Sequence, residues 1–223
     1  MNEVNYEKAH QHWSSVTSNV EGMLGGYDHL HLPDINSSRK LLDDLTKKKI
    51  LTCFERALDC GSGIGRITKH LLLPTFTFVD MVDFAGTFIE QSNAYIGDDG
   101  NSRIEHKFVE SLHTFKPKTR HYNLIWIQWV IGQLSDVDLT NFLRRCQKGL
   151  KKNGCIIIKD NVTSQGEERI FDQNDNSWTR PLNELRILIE NSGLNIILER
   201  RQLFFPKNIF PVHMLVLQPS DIV

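Results

Sequence analysis

Leu58-Asp59-Cys60-Gly61-Ser62-Gly63-Ile64-Gly65-Arg66 is the stretch that decides the fold of this 223-residue chain. It follows an apolar run, Arg56 to Cys60, and opens a helical pattern from Arg66 to Leu73 that Pro74 closes. Glycines at such a strand-to-helix turn let the backbone approach a ligand with no Cβ in the way. They stand at 61, 63 and 65, one residue tighter than the dinucleotide fingerprint, and no Gly-Lys-Ser/Thr follows, so neither NAD nor ATP fits well. The next strand candidate, Phe78 to Asp83, ends in an acid 22 residues beyond Gly61. A carboxylate there can accept hydrogen bonds from both hydroxyls of a ribose, which implies a nucleoside ligand.

Outward from this loop, short strand-like runs alternate with longer helical ones, the pattern of a parallel sheet covered by helices. Further strands are expected at Ile104 to Phe108, Leu124 to Gln128 and Cys155 to Lys159. Helices are expected from Phe88 to Tyr95 closed by Gly97, from Asp138 to Leu150 closed by Asn153-Gly154, and from Leu182 to Asn191 closed by Gly193. Two last runs, Asn195 to Phe204 and Val212 to Gln218, flank a Pro206 to Pro211 loop and read as an antiparallel hairpin, giving the sheet a mixed edge. Residues 1–55 read as a helical cap over the sheet's carboxyl edge, broken at Gly22 to Tyr27, with Ser37 or Ser38 capping a helix through Leu45. The chain is expected to be one domain, the cap at 1–55 and the core at 56–223.

Composition excludes several classes of function. Hydrophobic residues make up 40% and charged residues 24%, which is ordinary for a globular protein and not for a disordered one. Lys plus Arg number 26 against 27 for Asp plus Glu, a net charge of −1 that offers no field to hold nucleic acid or an acidic membrane. No apolar run approaches the roughly 20 residues that span a bilayer. The start has neither a basic n-region nor an apolar h-region, so a cytoplasmic or nuclear location is expected. Cys53, Cys60, Cys146 and Cys155 show no metal or redox spacing and read as buried free thiols, with no metal expected. Lys47-Lys48-Lys49 could be a nuclear signal, but three cations at a helix end also complement its dipole, the reading preferred here.

The acid two residues before Gly61, the tight glycines and the acid closing the second strand together resemble class I S-adenosylmethionine-dependent methyltransferases. Asn/Asp-Pro-Pro-aromatic, common in methylators of planar nitrogen, is missing after the fourth strand, where the sequence runs Ile127-Gln128-Trp129-Val130-Ile131-Gly132-Gln133-Leu134. A closer resemblance lies in Gly22-Met23-Leu24-Gly25-Gly26-Tyr27, Asp34-Ile35-Asn36-Ser37-Ser38-Arg39, Trp126 to Gly132 and Lys159-Asp160-Asn161. These motifs resemble the protein α-N-terminal methyltransferases, which act on proteins beginning X-Pro-Lys once the initiator Met is gone.

That resemblance implies a Rossmann-like α/β fold with a mostly parallel seven-stranded sheet, and S-adenosyl-L-methionine as cofactor. It assigns cofactor contacts to Trp13, Met23, Gly61, Gly63, Arg66, Asp83, Leu112 and Gln128. It places Leu24, Leu30, Trp129, Asn161, Asp172, Asp175, Ser177 and Ile209 around the N-terminal peptide of a substrate protein. Catalysis falls to Asp175, which takes or relays the amine proton, with Gln133 and Asn161 holding the substrate. Trp129 offers a flat face for a proline ring, although by its residue type alone, without the resemblance, the core-aromatic reading is the favoured one. Residues 160–177 carry a net charge of −4, which suits a lysine side chain but also suits a solvated loop.

The sequence departs from the family at two positions. Gln133 stands where a His usually shares the base role, and a glutamine cannot accept a proton near neutral pH. His12 stands in place of a Tyr. Other readings stay open on these residues: a methyltransferase for a small amine or another protein site, or a catalytically silent binder of basic N-termini. The sequence leaves the oligomeric state open.

Overall fold

The computed structural model describes residues 4–220. Strands β1 (Arg56–Cys60), β2 (Phe78–Asp83), β3 (Ile104–Val109), β4 (Tyr122–Gln128), β5 (Leu150–Asn161), β8 (Leu194–Arg201) and β9 (Val212–Pro219) form one sheet in the order β3-β2-β1-β4-β5-β9-β8. All pairs among β1 to β5 are parallel, and β9 runs antiparallel between β5 and β8. The central strands are buried on both faces, which is why they read as continuous rather than alternating apolar runs. One face packs against α6 (Asp136–Gly149) and α7 (Leu182–Asn191), the other against α3 (His31–Lys47) and α4 (Gly86–Ile96), giving one large apolar cluster on each side.

β1 and β2 fall on the expected residues, and α7 runs over Leu182–Asn191 as its pattern predicts. Three expectations are corrected. Ser37 and Ser38 do not cap a helix: α3 runs through them from His31, and their hydroxyls accept from the Lys159 ammonium at 3.2 and 2.9 Å. Asn153-Gly154 do not end α6, which stops at Gly149; they lie inside a long β5, where Asn153 (φ 63°) accompanies a register shift against β4. Cys53 is exposed, whereas the other three thiols are buried. The helix after the glycine loop contains a π-helical segment, Thr68–Leu72, and Asp59 anchors it by accepting from the Thr68 N–H (3.0 Å) and Oγ1 (2.6 Å). The lysine run does lie at a helix end, since α3 ends at Lys47.

The N-terminal elements α1 (Tyr6–Ser15) and α2 (Val20–Met23) place Trp13, Val16, Val20 and Met23 on a small cluster of Ile64, Ala85 and Phe88. They therefore lie over the carboxyl ends of β1 and β2. A second sheet of two strands, β6 (Ile170–Asp172) and β7 (Ser177–Thr179), follows β5, and no periodicity in these short runs announces it.

Candidate active site

Gly61, Gly63 and Gly65 all adopt positive φ (69°, 53° and 84°), which side chains other than glycine take up only with strain. The Gly63 N–H donates to Asp83 Oδ2 at 2.8 Å and the Ala85 N–H to Asp83 Oδ1 at 2.9 Å, so the acid at the end of β2 clasps the loop. Burial pushes the Asp83 carboxyl up to about 6 against the pull of these N–H groups. Above that pH it is a carboxylate with lone pairs to spare for two further donors. Trp13, Met23, Arg66, Gln128 and Trp129 complete the wall of this deep pocket.

The base of the pocket is an ion cluster. Asp34 of α3, fully buried, meets Arg66 at 2.8 Å and Lys159 at 2.5 Å and accepts from Gln128 Nε2 at 2.9 Å. Burial drives the Asp34 carboxyl upward, but Lys159 and Arg66 together hold it below the usual range. Burial likewise draws the Lys159 ammonium down, against the pull of Asp34. Two cations share one carboxylate here, so the cluster carries positive charge to offer an anion. The Arg66 guanidinium also faces the Trp129 ring at 5.4 Å.

Trp129 is held out of the core by its backbone. Its φ of 52° is a left-handed conformation that costs a bulky residue about 1–3 kcal/mol. The surroundings over-determine it: the Trp129 N–H donates to the Lys159 carbonyl at 3.0 Å, and Asp160 Oδ2 accepts from the next two N–H groups, Val130 at 3.0 Å and Ile131 at 3.2 Å. Burial raises the Asp160 carboxyl to about 6. The ring therefore belongs to the site, not to either large core cluster.

A wider groove opens beyond Trp13, Met23, Trp129, Val130 and Gln133, which line both cavities and form the neck between them. Leu24, Leu30 and Ile209 supply its apolar wall, while Asn161, Asp172, Asp175 and Ser177 supply its polar one. Asp175 lies in the turn between β6 and β7, where Ser177 Oγ donates to its Oδ1 at 2.7 Å. Burial raises its carboxyl above the ordinary value, Ser177 opposes, and Asp172 adds to the rise. With its amide turned so that both of its polar atoms find partners, Gln133 accepts from Trp13 Nε1 at 3.1 Å and donates to the Asp175 carbonyl at 3.1 Å.

Every residue the sequence assigned to the site lines one of these two cavities except Leu112, which lines a third with Phe84, Ser111 and His113. Phe84 and Val130 line both this third cavity and the deep pocket, so the spaces adjoin. Sequence reading missed Asp34, Lys159, Asp160 and Phe84 as site residues. Asp34, Lys159 and Asp160 stand in the quoted motifs, and Phe84 directly follows the acid of β2, so position was their only signal.

The residues present fit S-adenosylmethionine. A Cβ on Gly61 would come 2.8 Å from Val130 Cβ, so the loop leaves no room to spare for a side chain. The cationic cluster suits a carboxylate, Asp83 suits a ribose diol, and the apolar third cavity beside Phe84 and Leu112 suits a purine. The sequence profile of the AdoMet-dependent proline di-methyltransferase family matches residues 1–218. The chain belongs to that family. It is a methyltransferase with the class I fold, and S-adenosylmethionine is its cofactor.

The chain is 51% identical over 215 residues to alpha N-terminal protein methyltransferase 1 of Caenorhabditis elegans, covering 96% of this chain and 91% of that one. It is 45% identical over 217 residues to N-terminal Xaa-Pro-Lys N-methyltransferase 1 of Homo sapiens, covering 96% and 95%. Among solved structures, a SAM-dependent methyltransferase of Leishmania major superposes with a TM-score of 0.88 at 33% identity, over 96% of this chain and 82% of that one. Phosphoethanolamine N-methyltransferase 1 of Haemonchus contortus, at 19% identity and a TM-score of 0.73 over 100% of this chain and 51% of that one, shares the fold. Among the described residues, no helix is long and apolar enough to cross a membrane.

Proposed function

We propose that this methyltransferase acts on the α-amine of proteins whose processed N-terminus reads X-Pro-Lys, with the amine entering the neck between the two cavities. The observation that carries this reading is the neck itself, where Trp13, Trp129 and Gln133 separate a cofactor-sized pocket from a long groove and Asp175 flanks the passage. A groove of about 760 Å³ exceeds what a small amine needs and suits an extended peptide end.

The bound cofactor supplies an electrophilic methyl on sulfonium, to be displaced in line by a neutral amine. An α-amine with a pKa of about 7.7–8.0 is partly neutral at physiological pH, so one proton removal and good aim make up most of the catalysis. Asp175 receives that proton. Its raised pKa makes it a better base than an exposed carboxylate, and the Gln133 amide beside it positions the incoming amine. Asn161 offers its amide to a peptide carbonyl. Trp129, Leu24, Leu30 and Ile209 enclose the proline ring, and Asp172 with Ser177 takes the lysine.

We read the chain as a single domain, because Asp34 of the cap is an ion partner of Lys159 in the core. Its partners are the N-termini of other proteins in the cytosol or nucleus, with no membrane or nucleic acid required. Mass spectrometry of Ser-Pro-Lys and Ser-Pro-Glu peptides incubated with S-adenosylmethionine tests the assignment. The Glu peptide places like charges together in a partly desolvated groove and is expected to be a poor substrate. Equal kcat/KM for the two would refute the reading.

A further inference from the structure

The β6–β7 hairpin carries both Asp172 and Asp175, and its two feet are fastened to a single carboxylate. Arg169, just before β6, donates from Nη2 to Asp136 Oδ2 at 3.1 Å, and Arg180, just after β7, donates from Nε to Asp136 Oδ1 at 2.9 Å. Asp136 opens helix α6, so the hairpin is tied through that helix to the body of the fold. Arg169 also donates to Glu184 of α7 at 2.8 Å, and its guanidinium faces the Trp178 ring at 5.4 Å. Arg180 reaches further. Its Nη1 donates to the Ile131 carbonyl at 3.1 Å and its Nη2 to the Leu134 carbonyl at 2.6 Å, so the guanidinium fork straddles the turn that holds Gln133. Its own carbonyl accepts from the Thr163 N–H at 3.1 Å, two residues past Asn161.

The hairpin and the turn fit closely: a Cβ on Gly132 would come 2.7 Å from the Trp178 carbonyl oxygen and 3.3 Å from Ser177 Cβ. Exposed ion pairs contribute little, but Arg180 is only 2% exposed and all three of its guanidinium nitrogens are engaged. A buried ion pair is a weak source of stability, whereas a planar fork of fixed donors is well suited to hold several acceptors in one arrangement. Burial pushes the Asp136 carboxyl up, but Arg180 and Arg169 together hold it below the usual range, so both arginines keep a charged partner.

We propose that Arg180, with Asp136 and Arg169, is a positioning clamp for methyl transfer, holding the β6–β7 hairpin against the Gln133 turn and so setting where Asp175 meets the amine and Asp172 the lysine. The inference rests on the proposed roles of Asp175 and Asp172. None of the three clamp residues lines the deep pocket or the groove, so they act through the hairpin. The chemistry is sensitive to such placement, since a displacement of about 1 Å can cost about 10²-fold in rate. Arginine is needed at 180, because a lysine ammonium can reach the carboxylate but cannot span it and two carbonyls as a planar fork.

The experiment measures kcat and KM for Ser-Pro-Lys and Ser-Pro-Glu peptides in the parent, Arg180→Lys, Arg169→Met and Arg169→Lys, with cofactor affinity read by calorimetry and folding by thermal melting. Arg180→Lys and Arg169→Met are expected to lower kcat on the Lys peptide by about tenfold or more. They should also narrow the preference for Lys over Glu by about threefold or more, because Asp172 moves with the hairpin. Arg169→Lys keeps a cation within reach of Asp136 and Glu184 and should recover most of the loss. Affinity for S-adenosylmethionine should hold, since Asp83 and the Asp34 cluster bond to none of the three clamp residues. A purely structural role would lower the melting temperature and scale kcat/KM for both peptides alike, and an unchanged ratio therefore overturns the clamp. So does parental kcat in the folded variants. Should Arg180→Lys fail to fold, Arg169→Met, on the more exposed side of Asp136, decides alone. A parent that does not prefer the Lys peptide overturns the proposed substrate and the clamp with it.

Discussion

Asp34→Asn removes one charge from the most deeply buried ion cluster of the molecule. Asp34 and Lys159 have side chains with no solvent exposure, and that of Arg66 is only 5% exposed, so none can recover hydration when the carboxylate is lost. Breaking a buried pair by deleting one partner costs about 3–5 kcal/mol, because the other charge stays buried without compensation. Asparagine retains one oxygen for Gln128 or Lys159, which favours the lower half of that range.

For a chain of this length about 1 kcal/mol corresponds to about 2–4 °C in melting temperature, so a fall of roughly 6–15 °C is expected by circular dichroism or dye melting. The pH dependence identifies the cause. Without Asp34, burial holds Lys159 further below its unfolded value of about 10.4, so the unfolded chain binds more protons and stability rises as pH climbs toward that value. The deficit against the parent should therefore shrink between pH 7 and pH 9. Adding Lys159→Met should recover part of it by removing the orphaned cation. A shift under about 2 °C, or a deficit that does not change with pH, would refute the account of the cluster.

Three further outcomes test the site. Asp175→Asn keeps the shape but removes the proposed base and should lower kcat by about 10²-fold or more with little change in KM, read by steady-state kinetics. Gly63→Arg brings a Cβ to 2.4 Å from Met23 Sδ at a φ of 53°; the flexible sulfur can yield, so the fold should survive on melting while calorimetry finds no S-adenosylmethionine binding. Burial pushes the Asp83 carboxyl up to about 6 in the free protein, and ribose hydroxyls donate more strongly to the ionised form than to the acid, so its pKa falls on binding. Affinity should therefore rise with pH through that value and level off above it, about fivefold or more weaker at pH 5 than at pH 7.5, and a flat calorimetric profile would show that Asp83 does not hold the ribose.

Sequence alone sufficed wherever the deciding residues are neighbours in the chain. The β1 turn, its three glycines, the acid closing β2 and the breakers after α4 and α7 all act through local backbone preference, and their elements lie where they were expected. The motifs around Trp129 and Asn161 pointed to residues that line the wider groove because they come as contiguous words. Only the tertiary structure decided the rest. Ser37 and Ser38 read as caps, since a hydroxyl before an apolar run satisfies free N–H groups, yet the buried Lys159 ammonium claims them from 122 and 121 residues away. Asn153-Gly154 read as a helix stop, yet pairing with β4 and β9 extends β5 from Leu150 to Asn161. The β6–β7 hairpin is too short for any periodicity to mark, and it is what carries Asp175 to the neck. Leu112 lies in the cavity beside Phe84 and not in the deep pocket because the turns after β2 and β3 meet only when those strands pair. Charge partners and cavity walls are set by which elements come to lie side by side, and a one-dimensional pattern encodes local geometry without encoding those distances.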